Sequence, residues 1–273
     1  RHAYEKDLYY IERSITGEFK RTLWNPFVEA IEKYKLIKDG DRIAVCISGG
    51  KDSMLLARML KMAKDYRLYD FSPEYIMMNP GYMERDMKQM EFNNLVFDIP
   101  VSYFSTNVFD DVEEIGKNPC FFCSRMRRGH LYRKAKELGC NKIALGHHYD
   151  DVIETTLMSM LYGAQARTML PVIKSDNIED MKLIRPMYLI REDDINLWKN
   201  RNNLNFVKCA CRLNTKDGGE DTMRLRIKKL IRDLTNENPA VPANIFGSMS
   251  GIDLKHVLSY KIDGVTHSIL DDM

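Results

Sequence analysis

The stretch that decides the fold is Ile47-Ser48-Gly49-Gly50-Lys51-Asp52-Ser53. A short apolar segment, residues 42–47, precedes it and is typical of a buried parallel strand. Residues 54–62, which follow it, are almost all strong helix formers. The sequence therefore predicts a strand, a glycine turn and a helix N-terminus in immediate succession.

This turn has the chemistry of a phosphate cradle. Gly49 and Gly50 let the backbone approach an anion closely, and the N–H groups at the start of the helix point towards it. Ser48 and Ser53 add hydroxyl donors, while Lys51 adds a positive charge. Ser-Gly-Gly also occurs as a plain tight turn, but the Lys-Asp-Ser that follows directly favours phosphate binding.

The spacing of the loop excludes two common nucleotide motifs. A nucleotide-triphosphatase P-loop has four residues between its first glycine and Gly-Lys-Ser/Thr, and the dinucleotide fingerprint is G-x-G-x-x-G. The stretch instead resembles the pyrophosphate loop of the ATP pyrophosphatases that adenylate a substrate. Its lysine is similar to that of the tRNA-modifying branch, which includes tRNA thiolases and lysidine synthetases.

Composition indicates an ordinary globular protein. The 273 residues are 44% hydrophobic and 29% charged, so a sizeable core is available. The net charge of +2 is too small to indicate a nucleic-acid partner by itself. No apolar run reaches the roughly eighteen residues of a membrane helix, so no membrane partner is expected. Six cysteines without an export signal favour thiols or metal ligands over disulfides, and a cytoplasmic location.

Strand-like and helix-like segments alternate through the middle of the chain. Further strands are predicted at 73–80, 101–104 and 142–146, and helices at 82–96 and 124–138. This alternation predicts an α/β fold with a doubly wound parallel sheet covered by helices on both faces.

Three regions are predicted along the chain. Residues 1–39 form an N-terminal helical segment with an apolar stripe that includes Trp24, Phe27 and Ile31. Residues 40–190 form the nucleotide-binding domain, in which the polar residues 174–182 are a loop. Residues 191–273 form a mostly helical C-terminal region that ends in a segment, 255–270, compatible with a hairpin.

A second strand end also has candidate catalytic chemistry. Gly146-His147-His148-Tyr149-Asp150-Asp151 follows the predicted strand at 142–146, and ligands of open parallel sheets bind at such carboxyl ends. Asp150 and Asp151 could simply cap the next helix. Beside a phosphate loop they could instead hold Mg²⁺ or position a reacting group, which is the interpretation favoured here.

The cysteines form another candidate site, one for a metal. Cys120 and Cys123 make a C-x-x-C, and Cys209 and Cys211 make a C-x-C later in the chain. On a helix, positions i and i+3 share a face, so both thiolates of the first pair could bind one metal. Four thiolates would suit zinc, whereas an iron–sulfur cluster with three protein ligands leaves one iron open. Cys46 and Cys140 are predicted to be inert core or surface thiols.

Long motifs make the resemblance specific. They run from Cys120 to Gly129, from Lys142 to Thr155, through Ile184-Arg185-Pro186, and to Asn244-Ile245-Phe246, spread over about three-quarters of the chain. Together they resemble the tRNA 2-thiocytidine synthetase family, the tRNA-cytidine 2-sulfurtransferases. The fold that this resemblance implies is of the adenine nucleotide α-hydrolase type.

The resemblance implies an activity with its cofactors. ATP and Mg²⁺ would drive replacement of the C2 oxygen of the cytidine at tRNA position 32 by sulfur, with a [4Fe–4S] cluster held by three cysteines. The implied ATP-binding residues are Ser48, Gly49, Gly50, Lys51, Asp52, Ser53, Gly146 and Asp151. Cys120 and Cys123 are implied cluster ligands, and Asp151, Lys51 and Arg127 are the candidate catalytic residues.

The third cluster ligand departs from the family pattern. The family has a Pro-Cys-x-x-Cys-Gly stretch, whereas this chain has Lys208-Cys209-Ala210-Cys211-Arg212. Cys209 aligns best with the ligand position, and Cys211 stays an alternative. The C-x-C also leaves a different substrate within the thiolase group open.

Two basic runs support an RNA partner. The first comprises Arg125, Arg127, Arg128, Arg133, Lys134 and Lys136, and the second comprises Arg224, Arg226, Lys228, Lys229 and Arg232. A solvated helix face is the ordinary alternative. The expected partners are tRNA and a sulfur donor, either a cysteine desulfurase or free sulfide, and a homodimer stays open.

The predicted reaction is adenylation followed by sulfur transfer. The cytidine C2 oxygen would attack the α-phosphate of ATP, and Lys51, Mg²⁺ and the loop N–H groups would stabilise the departing charge. Sulfide on the open iron of the cluster would then displace AMP. Two alternatives stay open: a lysidine-type tRNA ligase, which needs no cysteine pair, and a zinc-bearing RNA-binding module, which needs no ATP.

Overall fold

The computed structural model describes residues 2–115, 119–175, 180–207 and 219–272. The chain divides into two compact units. The first comprises residues 1–152 and 170–223, and the second comprises residues 153–169 and 224–273. The predicted regions 1–39, 40–190 and 191–273 remain a proposal.

The first unit opens with helices, as predicted. Helix α1 spans His2–Thr16, a π-helical turn spans Lys20–Trp24, and helix α2 spans Asn25–Lys33. Pro26 lies in the first turn of α2, where its missing N–H has no intrahelical partner to lose. Trp24, Phe27 and Ile31 are buried, so the predicted apolar stripe packs into the core.

A six-stranded, mostly parallel sheet organises the first unit, which confirms the predicted fold class. Its strands are β1 (Asp41–Ile47), β2 (Phe71–Asn79), β3 (Val101–Ser105), β4 (Lys142–Ala144), β5 (Val172–Lys174) and β6 (Lys182–Ile184). Their spatial order is β3-β2-β1-β4-β6-β5. Only β5 runs antiparallel, beside β6, in this described sheet.

The sequence prediction missed the short strands β5 and β6, each of three residues. Residues 174–182 were predicted as a loop, but Lys174 ends β5 and Lys182 begins β6. Residues 176–179 of that loop lie outside the described residues. Pairing with β4 makes Lys182–Ile184 a strand, a long-range partnership that no local pattern shows.

Helices follow most strands. They are α3 (Lys51–Asp65), α4 (Glu84–Val96), α5 (Val108–Ile115), α6 (Pro119–Glu137), α7 (Tyr149–Gly163) and α8 (Glu192–Arg201). Helix α5 was not predicted, whereas α3, α4 and α6 were. No helix in the described part of the chain is both long and apolar enough to cross a membrane.

The end of the chain contains two helices and a hairpin. Helix α9 spans Gly219–Glu237, and α10 spans Val241–Ser248. Strands β7 (Ser259–Ile262) and β8 (Val265–Ser268) pair antiparallel, which confirms the predicted hairpin. Its two turn residues, Asp263 and Gly264, both have positive φ, as the favoured two-residue hairpin turn requires.

A buried ion pair joins the amino ends of β1 and β4. The Lys142 ammonium contacts the Asp41 carboxylate and donates to the Leu36 carbonyl at 2.8 Å. Asn141 and the Lys38 N–H also donate to Asp41, at 2.8 and 2.6 Å. Burial raises the pKa of Asp41, but these donors outweigh it and hold the pKa below its ordinary value. The pair is therefore fully hydrogen-bonded inside the protein.

Candidate active site

The site lies where the strand order reverses. The chain passes from β1 to β2 and β3 on one side, then returns to place β4 on the other side of β1. Crevices at such switch points, outside the carboxyl ends of the strands, are the usual ligand sites of open parallel sheets. The phosphate loop after β1 and the segment after β4 flank this crevice.

Gly146 brings these two segments into direct contact. A Cβ atom at this position would lie 3.0 Å from the backbone carbon of Asp52 and 3.1 Å from the backbone nitrogen of Ser53. These are backbone atoms at the start of α3, so the segment can approach this closely only because residue 146 has no side chain. Strand β4 ends at Ala144, two residues earlier than predicted, which leaves Gly146 in the loop.

The phosphate loop has an open helix N-terminus. Gly49 has φ +81°, which favours glycine, and Gly50 precedes α3 without a side chain to cap it. Ser53 Oγ accepts from the Ser48 N–H at 3.1 Å and donates to the Gly50 carbonyl at 3.0 Å. Because no side chain caps this described helix start, its first N–H groups remain available to an anion.

Lys51 lies between two carboxylates. Its ammonium is 3.1 Å from Asp52 and 3.2 Å from Glu192, the first residue of α8. Burial lowers the pKa of Lys51, but the two carboxylates outweigh burial and the pKa lies above its ordinary value. The loop cation is therefore charged and is held by groups that a phosphate could replace.

Asp150 and Asp151 have different roles. Asp150 accepts a bifurcated hydrogen bond from Arg191 Nε and another from Nη2, and also caps α8 by accepting the Glu192 N–H at 2.7 Å. Asp151, the third residue of α7, accepts the N–H of His148 at 3.0 Å, as in a capping box. The two carboxylates therefore have different partners, and a role in holding Mg²⁺ or positioning a reacting group stays a prediction.

His148 lies between the two loops. It is 5% exposed, with Nδ1 3.5 Å from Asp151 and Nε2 3.9 Å from Asp52. This histidine thus links a residue of the phosphate-loop segment to a residue of the segment after β4. Lys51, Asp52, Gly146 and Asp151 thus lie near one another and near His148, and their roles in ATP binding and catalysis stay a prediction.

Only part of the predicted cluster site falls within the described residues. Cys123 is a buried cysteine on α6, and Cys120 lies one turn earlier on the same helix, with its side chain outside the description. Cys209 and Cys211 lie outside the described residues. No group of three potential metal ligands occurs among the residues that the structure describes, and the ligand prediction stays a prediction.

Arg127 lies one helical turn beyond Cys123. Its Nη2 donates to the hydroxyl of Tyr82, which follows β2, at 3.2 Å. Cys46 and Cys140 are buried in the core, as predicted, and burial raises their pKa values to about 12 and about 11. High pKa values suit inert thiols rather than reactive ones.

Comparisons with known proteins show which family the chain resembles. The sequence profile of the PP-loop domain family matches residues 19–216. The chain is 37% identical over 243 residues to tRNA-cytidine(32) 2-sulfurtransferase 1 of Francisella philomiragia, covering 88% of this chain and 93% of that protein. It is 36% identical over 240 residues to tRNA-cytidine(32) 2-sulfurtransferase of Coxiella burnetii, covering 86% and 91%.

The chain belongs to the tRNA-cytidine(32) 2-sulfurtransferase family of PP-loop proteins. This membership confirms the family resemblance and the prediction of an enzyme. The solved structure of the U34-tRNA thiolase NcsA from Methanococcus maripaludis with its [4Fe-4S] cluster has a TM-score of 0.66 at 22% identity, over 85% of this chain and 78% of that one. At that identity the likeness confirms the PP-loop fold.

Sequence reasoning missed two contributors to this PP-loop site. Arg191 and Glu192 connect the start of α8 to Asp150 and Lys51. Both residues follow the Ile184-Arg185-Pro186 motif, which was quoted for the family resemblance without a role. The position of that motif after a strand could have indicated a third segment at the crevice, had β6 been predicted.

The second basic run has partners of its own within the second unit. Arg224 and Lys228 lie 3.1 and 3.9 Å from the buried carboxylate of Glu154. These two cations therefore contribute to packing within the second unit. Arg226, Lys229 and Arg232 of the same run are exposed, and RNA binding by either run stays a prediction.

Proposed function

We propose that this protein catalyses ATP-dependent thiolation of tRNA, replacing the C2 oxygen of cytidine 32 in the anticodon loop by sulfur. The observation that carries the proposal is the open phosphate loop in a chain whose relatives are named tRNA-cytidine(32) 2-sulfurtransferase. A tRNA substrate would place the enzyme in the cytoplasm.

The phosphate loop would bind ATP and stabilise the leaving pyrophosphate. The C2 oxygen attacks the α-phosphorus, the bond to the bridging oxygen breaks, and pyrophosphate leaves. Lys51 and the N–H groups at the start of α3 face the charge that develops there. For ATP to bind, its phosphates must replace Glu192 or Asp52 as partners of Lys51.

The carboxylates of Asp52 and Asp151 fit a magnesium ion. Oxygen ligands are what Mg²⁺ prefers, and both side chains lie at the crevice beside His148. Bound there, Mg²⁺ would neutralise charge on the ATP phosphates. Asp151 would keep its hydrogen bond to the His148 N–H and thereby hold α7 in place.

The described thiol fits an iron–sulfur site in part. Cys123 is a buried cysteine one helical turn from Cys120, and thiolates are the usual ligands of such clusters. Cys120, Cys123 and Cys209 would hold a [4Fe–4S] cluster, which would supply an iron without a protein ligand for binding inorganic sulfur. Arg127, fixed by Tyr82, would add positive charge one turn from Cys123.

Nucleoside mass spectrometry of tRNA from cells with and without the protein tests the function. We expect 2-thiocytidine to disappear without it and to return with the wild-type gene. Purified protein with tRNA should form AMP and pyrophosphate, whereas ADP and phosphate would contradict adenylation. A missing 2-thiouridine or lysidine would identify another base or a lysidine-type ligation.

Iron content distinguishes the candidate cluster ligands. We expect Cys209→Ser to lose iron in anaerobically purified protein and Cys211→Ser to retain it. The reverse pattern would reassign the ligand, and loss in both would indicate four-cysteine ligation. Supplying a cysteine desulfurase or free sulfide separately would identify the sulfur donor, and the mass in solution would show whether the enzyme is a homodimer.

A further inference from the structure

Arg185 is a buried cation at the carboxyl edge of the sheet. It follows Ile184, the last residue of β6, and is 6% exposed. Arginine is almost never buried this deeply unless it is paired, because removing a charge from water is costly. The nature of its partners therefore indicates what the residue does.

The hydrogen-bond partners of Arg185 are neutral. Its Nε donates to Nδ1 of His147 at 3.4 Å, and its Nη1 donates to the Leu170 carbonyl. In the described part of the chain, no carboxylate forms an ion pair with Arg185. The other two buried cations differ, since Arg58 pairs with Glu12 and Lys142 pairs with Asp41.

A second positive charge lies near Arg185. Burial and then the charge of Arg128 lower the pKa of Arg185 to about 10, which leaves it protonated at neutral pH. The charge of Asp151 raises the pKa of Arg185, but by less than the charge of Arg128 lowers it. Arg128 is exposed on α6, and its charge acts on the buried Arg185 from there.

We propose that Arg185, with Arg128 at its rim, binds a backbone phosphate of the RNA substrate beside the nucleotide that is modified. This inference rests on the proposed function. An arginine fork matches a phosphate in shape as well as charge, and an anion would supply the charged partner that the described residues do not provide.

RNA fits this position better than the phosphates of ATP. ATP has its own loop with Lys51, whereas the hydrogen bonds of Arg185 go to His147 and Leu170. Arg128 is also exposed on α6 together with Arg125, at the three-residue spacing that aligns side chains on a helix. A macromolecule can reach these two side chains from solvent.

Helix α6 also provides a matched control. Arg133 is exposed on the same helix, but it lies five residues after Arg128 and so about 140° around the helix axis. It lines a different surface cavity with Phe104 and Thr106. Arg128→Ala and Arg133→Ala therefore remove the same charge from the same helix on different faces.

The experiment measures the affinity of the full chain for an unmodified tRNA transcript with cytidine at position 32, over a series of salt concentrations. We expect Arg128→Ala to weaken binding about three- to tenfold and to reduce the slope of log affinity against log salt by about one. Arg133→Ala should change affinity less than about twofold. ATP affinity without tRNA should be unchanged in both.

Substitution of Arg185 itself should have the larger effect. We expect Arg185→Gln to weaken tRNA binding at least about tenfold and Arg185→Lys to fall between it and the wild type, since lysine retains the charge but loses the fork. Thermal unfolding checks that each variant is folded. Should Arg185→Gln fail to fold, the exposed Arg128→Ala variant still decides.

Three results would overturn the inference. The first is an equal loss of tRNA affinity in Arg128→Ala and Arg133→Ala, which would indicate a diffuse basic surface. The second is a loss of ATP affinity rather than tRNA affinity. The third is no change in the tRNA affinity of either variant. A wild type that binds tRNA without thiolating it would instead contradict the proposed function and leave the phosphate site standing. A wild type that does not bind tRNA would contradict both.

Discussion

The two ends of strands β1 and β4 use charged residues in opposite ways. At the amino ends, Asp41 and Lys142 are 5% and 4% exposed and are hydrogen-bonded to each other, to Asn141 and to the backbone. At the carboxyl ends, Lys51 has two carboxylate partners and retains 20% side-chain exposure. Groups at one end are fully satisfied by the protein, while those at the other can exchange partners.

This difference separates stability from ligand binding within one pair of strands. A buried ion pair that is fully hydrogen-bonded strongly resists the loss of either partner. A partly exposed cation between carboxylates is held weakly enough to accept a phosphate instead. Stability and nucleotide binding should therefore respond to different substitutions.

The largest expected effect on stability is at the amino ends. Lys142→Met should lower the free energy of unfolding by about 3–5 kcal/mol, because it leaves the Asp41 carboxylate buried without its cation. Urea unfolding measures this change. The Asp41→Asn/Lys142→Met double variant should recover part of the loss. A parallel loss of ATP affinity in folded Lys142→Met protein would show that the two ends are not independent.

At the carboxyl ends, Lys51→Ala should have its effect on activity. We expect tRNA-dependent AMP formation to fall about 10²–10³-fold, the range for removing one preorganised electrostatic group. The free energy of unfolding should change by less than about 1 kcal/mol, because the ion pairs are partly exposed. Lys64→Ala on the same helix, which removes an exposed ion pair with Asp70, is the control and should leave AMP formation intact.

Gly146→Ala tests the close approach of the two loops. The added Cβ meets the Asp52 backbone at 3.0 Å, so we expect a loss of about 1–3 kcal/mol in stability and weaker ATP binding as the start of α3 shifts. Gly163→Ala is the control, since a Cβ there meets nothing within 4 Å. Reduced stability with unchanged ATP affinity would mean that this spacing does not shape the nucleotide site.

The smallest expected effect is an improvement in binding. Glu192→Gln removes a carboxylate that competes with phosphate for Lys51, so ATP affinity should rise about two- to fivefold, or roughly 0.4–1 kcal/mol. Asp193→Asn, which removes the neighbouring exposed charge, is the control. Calorimetric titration with ATP measures both variants. Weaker binding in Glu192→Gln would show that this carboxylate supports the nucleotide.

The sequence by itself determined the parts of the protein that depend on neighbouring residues. The phosphate loop is one, because Gly49, Gly50 and the start of α3 are consecutive and need only local backbone conformations. The β7–β8 hairpin is another, with Asp263 and Gly264 at its turn. Alternating strands and helices likewise predicted the parallel sheet.

Only the tertiary structure decided which distant charges meet. Glu192 lies 141 residues from Lys51, and Arg185 lies 38 residues from His147, yet each pair is in contact. The reversal of strand order places the ends of β1, β4 and β6 along one edge, and burial there determines which side chains can pair. Asp150 and Asp151 are adjacent in sequence, but Asp150 accepts the Glu192 N–H at the start of α8, whereas Asp151 accepts the His148 N–H. Such partnerships arise from sheet order and burial, which join residues far apart in the chain.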